Sequence, residues 1–312
     1  MIRMKNRIAE IIHQYDRFEI ITHEGPDEDA VGSSRALAHA LNALGKSVRL
    51  IYPTPIPEPL LFTAEPRQKK GMVPEISILL DVSDVKLLGG VNPQGKVVVI
   101  DHHRTNGTYG EISWIDSQKS SASEMVYDLI RELAVEITPA IASNIYMGIF
   151  GDTGGFIHAN TSPRVFKAAY ELTQAGADAS QIAYRLKRTR SVKYYHILCL
   201  VMDRLVQSGR IYGSYIRYQD FGAIRANPDD ASGIVEELAS LSGSEMVVLL
   251  RELNPDTVHG SIRSKGSDAA LKTARAFGGG GHGMAAGFTQ KGRADELIEQ
   301  VIEEGMKWVS KA

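Results

Sequence analysis

The feature that most constrains the fold is a series of short apolar runs, each ending in carboxylates or imidazoles. Phe18–Ile21 leads into Thr22, His23, Asp27 and Asp29. Ile76–Leu80 ends at Asp81, and Val97–Ile100 ends at Asp101-His102-His103. An apolar run of four or five residues without polar alternation fits a strand buried on both faces. Such strands alternate here with helical patterns at Ile8–Tyr15 and Val31–Leu44, the second closed by Gly45 as a C-terminal cap. Ser47–Tyr52 and Ile112–Ile115 add two more strands, and Pro53, Pro55, Pro57 and Pro59 require a loop between. The expected fold class is α/β, with a parallel five-stranded sheet flanked by helices. In open parallel sheets, ligands bind beyond the carboxyl ends of the strands. His23, Asp27, Asp29, Asp81 and the Asp101–His103 triplet all fall there.

From Ser121 to about Gln207 the pattern is helical, interrupted at Asp152. That residue is expected in a glycine-rich loop, Gly151–Phe156, just after a helix ending near Phe150. Strand signals resume at Ile211, Met246–Leu250 and Val258–Arg263. A helix over Asp268–Phe277, a glycine run ending in His282 and Gly283, a strand at Met284–Thr289 and a C-terminal helix follow. This predicts a smaller α/β domain with a mixed sheet. The expected boundaries are residues 1–190 for a catalytic domain, 191–207 for a connector helix and 208–312 for a substrate-binding domain. A length of 312 residues suits two domains.

Charge and composition narrow the function. A net charge of -2 argues against a protein that coats long nucleic acid, double-stranded nucleic acid included. It permits a small anionic substrate, because bound divalent cations supply local positive charge. The single cysteine, Cys199, forms no internal disulfide, which fits a reducing cytoplasmic compartment. The N-terminus reads as an amphipathic helix rather than a signal peptide, and no apolar run is long enough to span a bilayer.

The motifs carry specific chemistry. Two residues apart in extended backbone, Asp27 and Asp29 point the same way, and two such carboxylates repel without cations. Asp29 as a helix N-cap is the structural alternative. Gly32-Ser33 is expected to open a helix whose amides can hold an anion. Asp81 is placed to bridge two metals, whereas Asp84 reads as a turn cap. His102 and His103, adjacent at a strand end, point in different directions, so one can ligate a metal while the other contacts phosphate or the leaving group. Asp101 can fix a histidine tautomer. Asp152 sits among small residues that let metal and phosphate approach the backbone. Taken singly, each motif is also compatible with a turn cap, a surface histidine or a plain loop. Carboxylate and imidazole without thiolate suit Mn²⁺ or Mg²⁺ better than structural zinc. So many ligands suggest two ions, and a pair about 3.5–4 Å apart serves phosphoester hydrolysis. Farther on, Gly280 and Gly281 before His282 offer a side-chain-free surface. Arg263, in Ser261-Ile262-Arg263-Ser264, supplies a guanidinium suited to a terminal phosphate. Arg185–Arg190 reads as a solvated helix face.

The four motifs, in this order and spacing, resemble the DHH phosphoesterase superfamily, and the glycine–histidine segment resembles its DHHA1 domain. The resemblance runs from about Phe18 to Thr289 and is closest to the compact bacterial nanoRNase and pAp-phosphatase group. It implies one metal held by His23, Asp27 and Asp81, and a second by Asp29, Asp81, His102 and Asp152, with Asp81 bridging. It implies that His103 contacts the scissile phosphate or leaving group and that Asp101 supports the triplet. Arg263, Ser264, Gly280, Gly281 and His282 would bind the distal part of a nucleotide. The implied cofactor is Mn²⁺, two ions, with Mg²⁺ or Co²⁺ as substitutes. The implied reaction is hydrolysis of short single-stranded oligoribonucleotides, linear dinucleotides such as pApA and pGpG, and 3′-phosphoadenosine 5′-phosphate (pAp), with the second domain limiting substrate length. Small relatives often form homodimers, but the sequence carries no interface signature of its own. One departure is Glu28, where many relatives have glycine between the two aspartates; it bears on substrate choice or metal affinity. Three alternatives stay open: a RecJ-like exonuclease or cyclic-dinucleotide phosphodiesterase, a pyrophosphatase or exopolyphosphatase, and a nucleotide-binding regulator without catalysis.

Overall fold

The computed structural model describes residues 2–103, 110–281 and 283–309. The chain divides into two compact units, Met1–Thr189 and Arg190–Ala312.

In the first unit, the strands are β1 (Arg17–Ile21), β2 (Ser47–Ile51), β3 (Ile76–Leu80), β4 (Lys96–Asp101) and β5 (Ile112–Ile115). They form one sheet in the order β2-β1-β3-β4-β5, every pair parallel. Every residue of β3 is buried, as an apolar run in a sheet covered on both faces requires. The helices are α1 (Ile2–Gln14), α2 (Glu28–Ala43), α3 (Ala122–Glu132), α4 (Pro139–Asp152), α5 (Pro163–Gln174) and α6 (Ala179–Lys187). The strand order reverses between β1 and β3, which places the ligand crevice of such a sheet beyond these two carboxyl ends. Glu19 interrupts the apolar run of β1 and is fully buried. Its carboxylate pairs with Arg49 and accepts from the Ser77 hydroxyl at 2.6 Å and the Gln94 amide at 2.8 Å.

Three local expectations are corrected. The second helix opens at Glu28, one turn earlier than Gly32-Ser33, because Asp27 is its N-cap and accepts from the Asp29 and Ala30 amides. Asp29 is therefore in the first helical turn and not in extended backbone beside Asp27. Gly32 lies inside that helix, where a Cβ would stand 2.4 Å from the Asn144 carbonyl oxygen. Its role is to let α2 and α4 approach, not to offer amides to an anion. Asp152 closes helix α4 instead of lying in the loop after it; the turn begins at Thr153.

The second unit begins with α7 (Val192–Asp203) and contains β6 (Val206–Ser208), β7 (Ile211–Ile216), α8 (Tyr218–Ala223), α9 (Ile234–Ala239), β8 (Met246–Asn254), β9 (Thr257–Ser264), α10 (Ala269–Ala276), β10 (Gly280–Gly281), β11 (Ala285–Lys291) and α11 (Ala294–Gly305). Its sheet runs β10-β11-β9-β8-β7-β6; β7 and β8 are parallel and the other pairs antiparallel. Apolar residues on one face, including Val248, Ile262 and Phe288, pack with α10 and α11. Val247 and Leu249 on the other face pack with α7 and α9. Among the described residues no helix is long and apolar enough to cross a membrane.

Candidate active site

Local structure delivers each ligand candidate of the first unit to one place. The loop after β1 carries His23, and α2 starts from Asp27 and presents Asp29. Asp81 follows β3, the Asp101–His103 triplet begins with the last residue of β4, and Asp152 ends α4. Asp81 adopts a left-handed backbone (φ 61°), uncommon for a residue with a side chain. That turn keeps its carboxylate over the strand end.

Asp81 is the hub. One of its oxygens lies 3.6 Å from His23 Nε2, and the other lies 3.5 Å from His102 Nε2 and 3.6 Å from His103 Nδ1. His23 Nε2 is also 3.8 Å from Asp27. His102 Nε2 is 3.1 Å from Asp152 and 4.0 Å from Asp29. The described side chains thus gather into three overlapping groups: His23, Asp27 and Asp81; Asp29, His102 and Asp152; and Asp81, Asp101, His102 and His103, which links the other two through Asp81 and His102.

Hydrogen bonds assign the histidine nitrogens. His23 Nδ1 lies 2.8 Å from the Glu24 carbonyl, an acceptor only, so Nδ1 carries the hydrogen and Nε2 faces Asp27 and Asp81. His103 Nδ1 donates to Asp101 at 2.7 Å, which orients that ring from a fully buried carboxylate.

Electrostatically, this is a site built for cations. Burial disfavours the charged His23 imidazole, but hydrogen bonding and charge from Asp27 and Asp81 outweigh it, and its pKa is pushed up to about 11. His102 follows the same pattern with Asp152 and Asp81, and is pushed up to about 12. Burial, reinforced by the charges of Asp81 and Asp152, drives Asp29 upward. Burial opposes the ionised form of Asp81, yet His102 and His23 hold it well below the usual carboxylate range. Metal-free, the carboxylates are balanced by protons on imidazoles. Asp81 Oδ1 is buried and, among the described residues, has no hydrogen bond of ordinary length, with His102 Nε2 standing off at 3.5 Å, so it is an acceptor that a cation would satisfy. A donor set of oxygen and imidazole nitrogen, with this orphan at its centre, fits a pair of hard or borderline divalent ions.

Further residues escaped the motif reading. Both Asp29 oxygens accept from backbone at the start of α3, Oδ2 from the Ala122 amide at 2.6 Å and Oδ1 from the Ser123 amide at 2.8 Å. The sequence signal for this helix start is Ser121-Ala122-Ser123-Glu124, a capping pattern. The Ser121 hydroxyl does accept from the Glu124 amide. Gly148 makes room: a Cβ there would stand 1.9 Å from the Ser123 hydroxyl and 2.8 Å from Asp29. Glu28 packs with its Cβ against Gly151, and burial together with the Asp27 charge pushes its carboxyl up.

In the second unit, Arg263 is half-buried and bonded to Glu236 at 2.7 Å. Ser264 lies on the opposite face of β9. Its hydroxyl donates to the Ser267 carbonyl and accepts from the Ala270 amide, bracing the turn into α10. Gly280 and Gly281 are exposed and pair with Gly287 and Ala286. His282 lies outside the described residues. The basic stretch Arg185–Arg190 is exposed except for Leu186.

Two family models match the chain: the DHH family, N-terminal domain, over residues 17–149, and the DHHA1 domain over residues 214–310. A relative from Thermus thermophilus, named bifunctional oligoribonuclease and PAP phosphatase NrnA, is 35% identical, over 91% of this chain and 87% of that protein. The Bacillus subtilis protein of the same name is 29% identical over 91% of this chain and 92% of its own length. Among solved structures, an exopolyphosphatase-related protein from Bacteroides fragilis superposes with a TM-score of 0.90, at 24% identity, covering 98% of this chain and 96% of its own. At that identity the likeness shows the fold.

Proposed function

The chain belongs to the DHH family and carries a DHHA1 domain, and on that premise we propose that it is a metal-dependent phosphoesterase acting on short oligoribonucleotides and pAp. The observation that carries this reading is the convergence of two carboxylate–imidazole groups on Asp81, at the carboxyl ends of β1, β3 and β4. Full-length similarity to relatives named for both activities supports the substrate class.

In this reading His23, Asp27 and Asp81 would hold one divalent ion, and Asp29, Asp81, His102 and Asp152 would hold the other. Mn²⁺ is the proposed metal. When bound, the pair would supply Lewis-acid activation of a water and positive charge facing the phosphoryl oxygens. Asp81 keeps both ligand groups in register through its fixed turn after β3. Asp101 holds the His103 ring by its Nδ1 hydrogen and, with Asp81, outweighs burial to favour the protonated ring, whose Nε2 hydrogen can then be donated to a phosphoryl or leaving-group oxygen. Arg263, Gly280, Gly281 and His282 form the proposed nucleotide-binding set, Ser264 serving instead to brace the turn into α10 from the other face of β9, and the second unit is proposed to limit substrate length. A cytoplasmic setting fits this chemistry.

The test is a set of initial rates in Mn²⁺ for pApA, pAp, a five-residue RNA, a twenty-four-residue RNA and pyrophosphate. Rapid turnover of pApA, pAp and the five-residue RNA, with slow turnover of the long RNA, is expected. Cleavage of the long RNA as fast as pApA would refute the length limit, and pyrophosphate turned over faster than pApA would refute the substrate class.

A further inference from the structure

We propose that Glu124, Lys119 and Asn160 are positioning residues for one of the two metal sites, the one formed by Asp29, His102 and Asp152. The inference rests on the two-metal reading above and assigns roles to side chains outside the ligand set.

The argument starts from Asp29. This carboxylate is 1% exposed and sits among Asp81 and Asp152, so it needs donors on its own side. It receives two, the amides of Ala122 and Ser123 in the first turn of α3. Those amides point at Asp29 only if the chain at 119–123 is held. The holding group is the buried carboxylate of Glu124. One oxygen accepts from the Ser120 amide at 2.8 Å and from the Ser120 hydroxyl at 2.9 Å, and the other accepts from Lys119 Nζ at 2.8 Å. Lys119 is itself buried and also donates to Asp128 at 2.6 Å, which fixes its ammonium between the two carboxylates.

The same turn reaches Asp152. The carbonyl of Ser120 accepts from Asn160 Nδ2 at 3.0 Å, and that amide group also lies 3.2 Å from the Asp152 carbonyl. One side-chain amide therefore ties the backbone that presents donors to Asp29 to the backbone that carries Asp152. Both carboxylates of this metal group are placed by one connected set of bonds. No hydrogen bond or ion pair described for Glu124, Lys119 or Asn160 reaches His23 or Asp27. The brace should therefore act on one site and spare the other, whereas a general loss of stability would weaken both. Outer-layer hydrogen bonds of this kind change metal affinity by about 10–100-fold.

The test is titration of metal-free protein with Mn²⁺ by calorimetry, with Mn²⁺ electron paramagnetic resonance counting bound ions. Wild type, Glu124→Gln and Asn160→Ala are compared, with thermal melts of the metal-free proteins alongside. Asn160 is exposed on its loop, so its truncation should leave the fold intact even if Glu124→Gln does not. The expected result is two ions in wild type, and in Asn160→Ala one site about 10-fold or more weaker with the other unchanged. Equal affinities in wild type and Asn160→Ala, or equal weakening of both sites, would overturn the proposal. Failure of wild type to bind two ions would instead refute the two-metal reading on which it rests.

Discussion

At the scale of single residues, protons and metal compete for the same nitrogens. His23 and His102 titrate near 6.5 when unperturbed and near 11 and 12 in the metal-free fold, because Asp27, Asp81 and Asp152 outweigh the cost of burial. Raised histidine values stabilise the metal-free protein fully below about 6.5, and that contribution is lost as pH rises through 11 to 12. Through the intervening range both imidazoles are protonated without metal. Ligation requires neutral imidazole, so metal uptake must release these protons, and affinity must rise with pH. Calorimetry at pH 8 in buffers of different protonation enthalpy should show net proton release as both sites fill, from the two imidazoles and from any proton that burial holds on Asp29. Zero release would mean that neither imidazole is a ligand.

At the scale of elements, the decisive contact is the crossing of α2 with α4. Gly32, Gly148 and Gly151 lie along it, and a Cβ at Gly32 would meet backbone, the Asn144 carbonyl oxygen at 2.4 Å and the Gly148 nitrogen at 3.0 Å. Backbone cannot rotate aside, so Gly32→Ala should cost about 1–3 kcal/mol in urea unfolding. Gly222, inside α8 with nothing within 4 Å of its virtual Cβ, is the matched control. Gly222→Ala should be neutral or stabilising by up to about 1 kcal/mol, because it only restricts the unfolded chain. Much of this element-level structure was legible beforehand. The buried strands announced themselves as apolar runs, and the five-stranded parallel sheet follows from them. What misled was helix onset. Asp27 and Asp29 have equal propensities, and only the observed bonds show that the first caps and the second faces inward. Asp152 likewise looked like loop because glycines surround it, yet packing keeps Gly148 and Gly151 helical.

At the scale of the whole molecule, the two units have separate cores, and every proposed metal ligand belongs to the first. A ligand that binds only the folded form stabilises by about 2.7 kcal/mol at one hundred times its dissociation constant. Scanning calorimetry with Mn²⁺ at that excess should therefore raise the transition in which the first unit unfolds, and a chelator should reverse the shift.

The sequence alone determined where the strands lie, that they pair in parallel, and which carboxylates and imidazoles stand at their ends. Those properties are local: apolar patterning selects buried strands, and strand polarity places their last residues on one edge. Tertiary structure decided what patterning does not encode. It brought the α3 amides onto Asp29 across more than ninety residues and closed the α2–α4 crossing on three glycines. It also paired buried Glu19 with Arg49, Ser77 and Gln94. Each of these is a contact between segments distant in the chain, where the partner of a buried polar group is fixed by packing, and no periodicity within one segment records it.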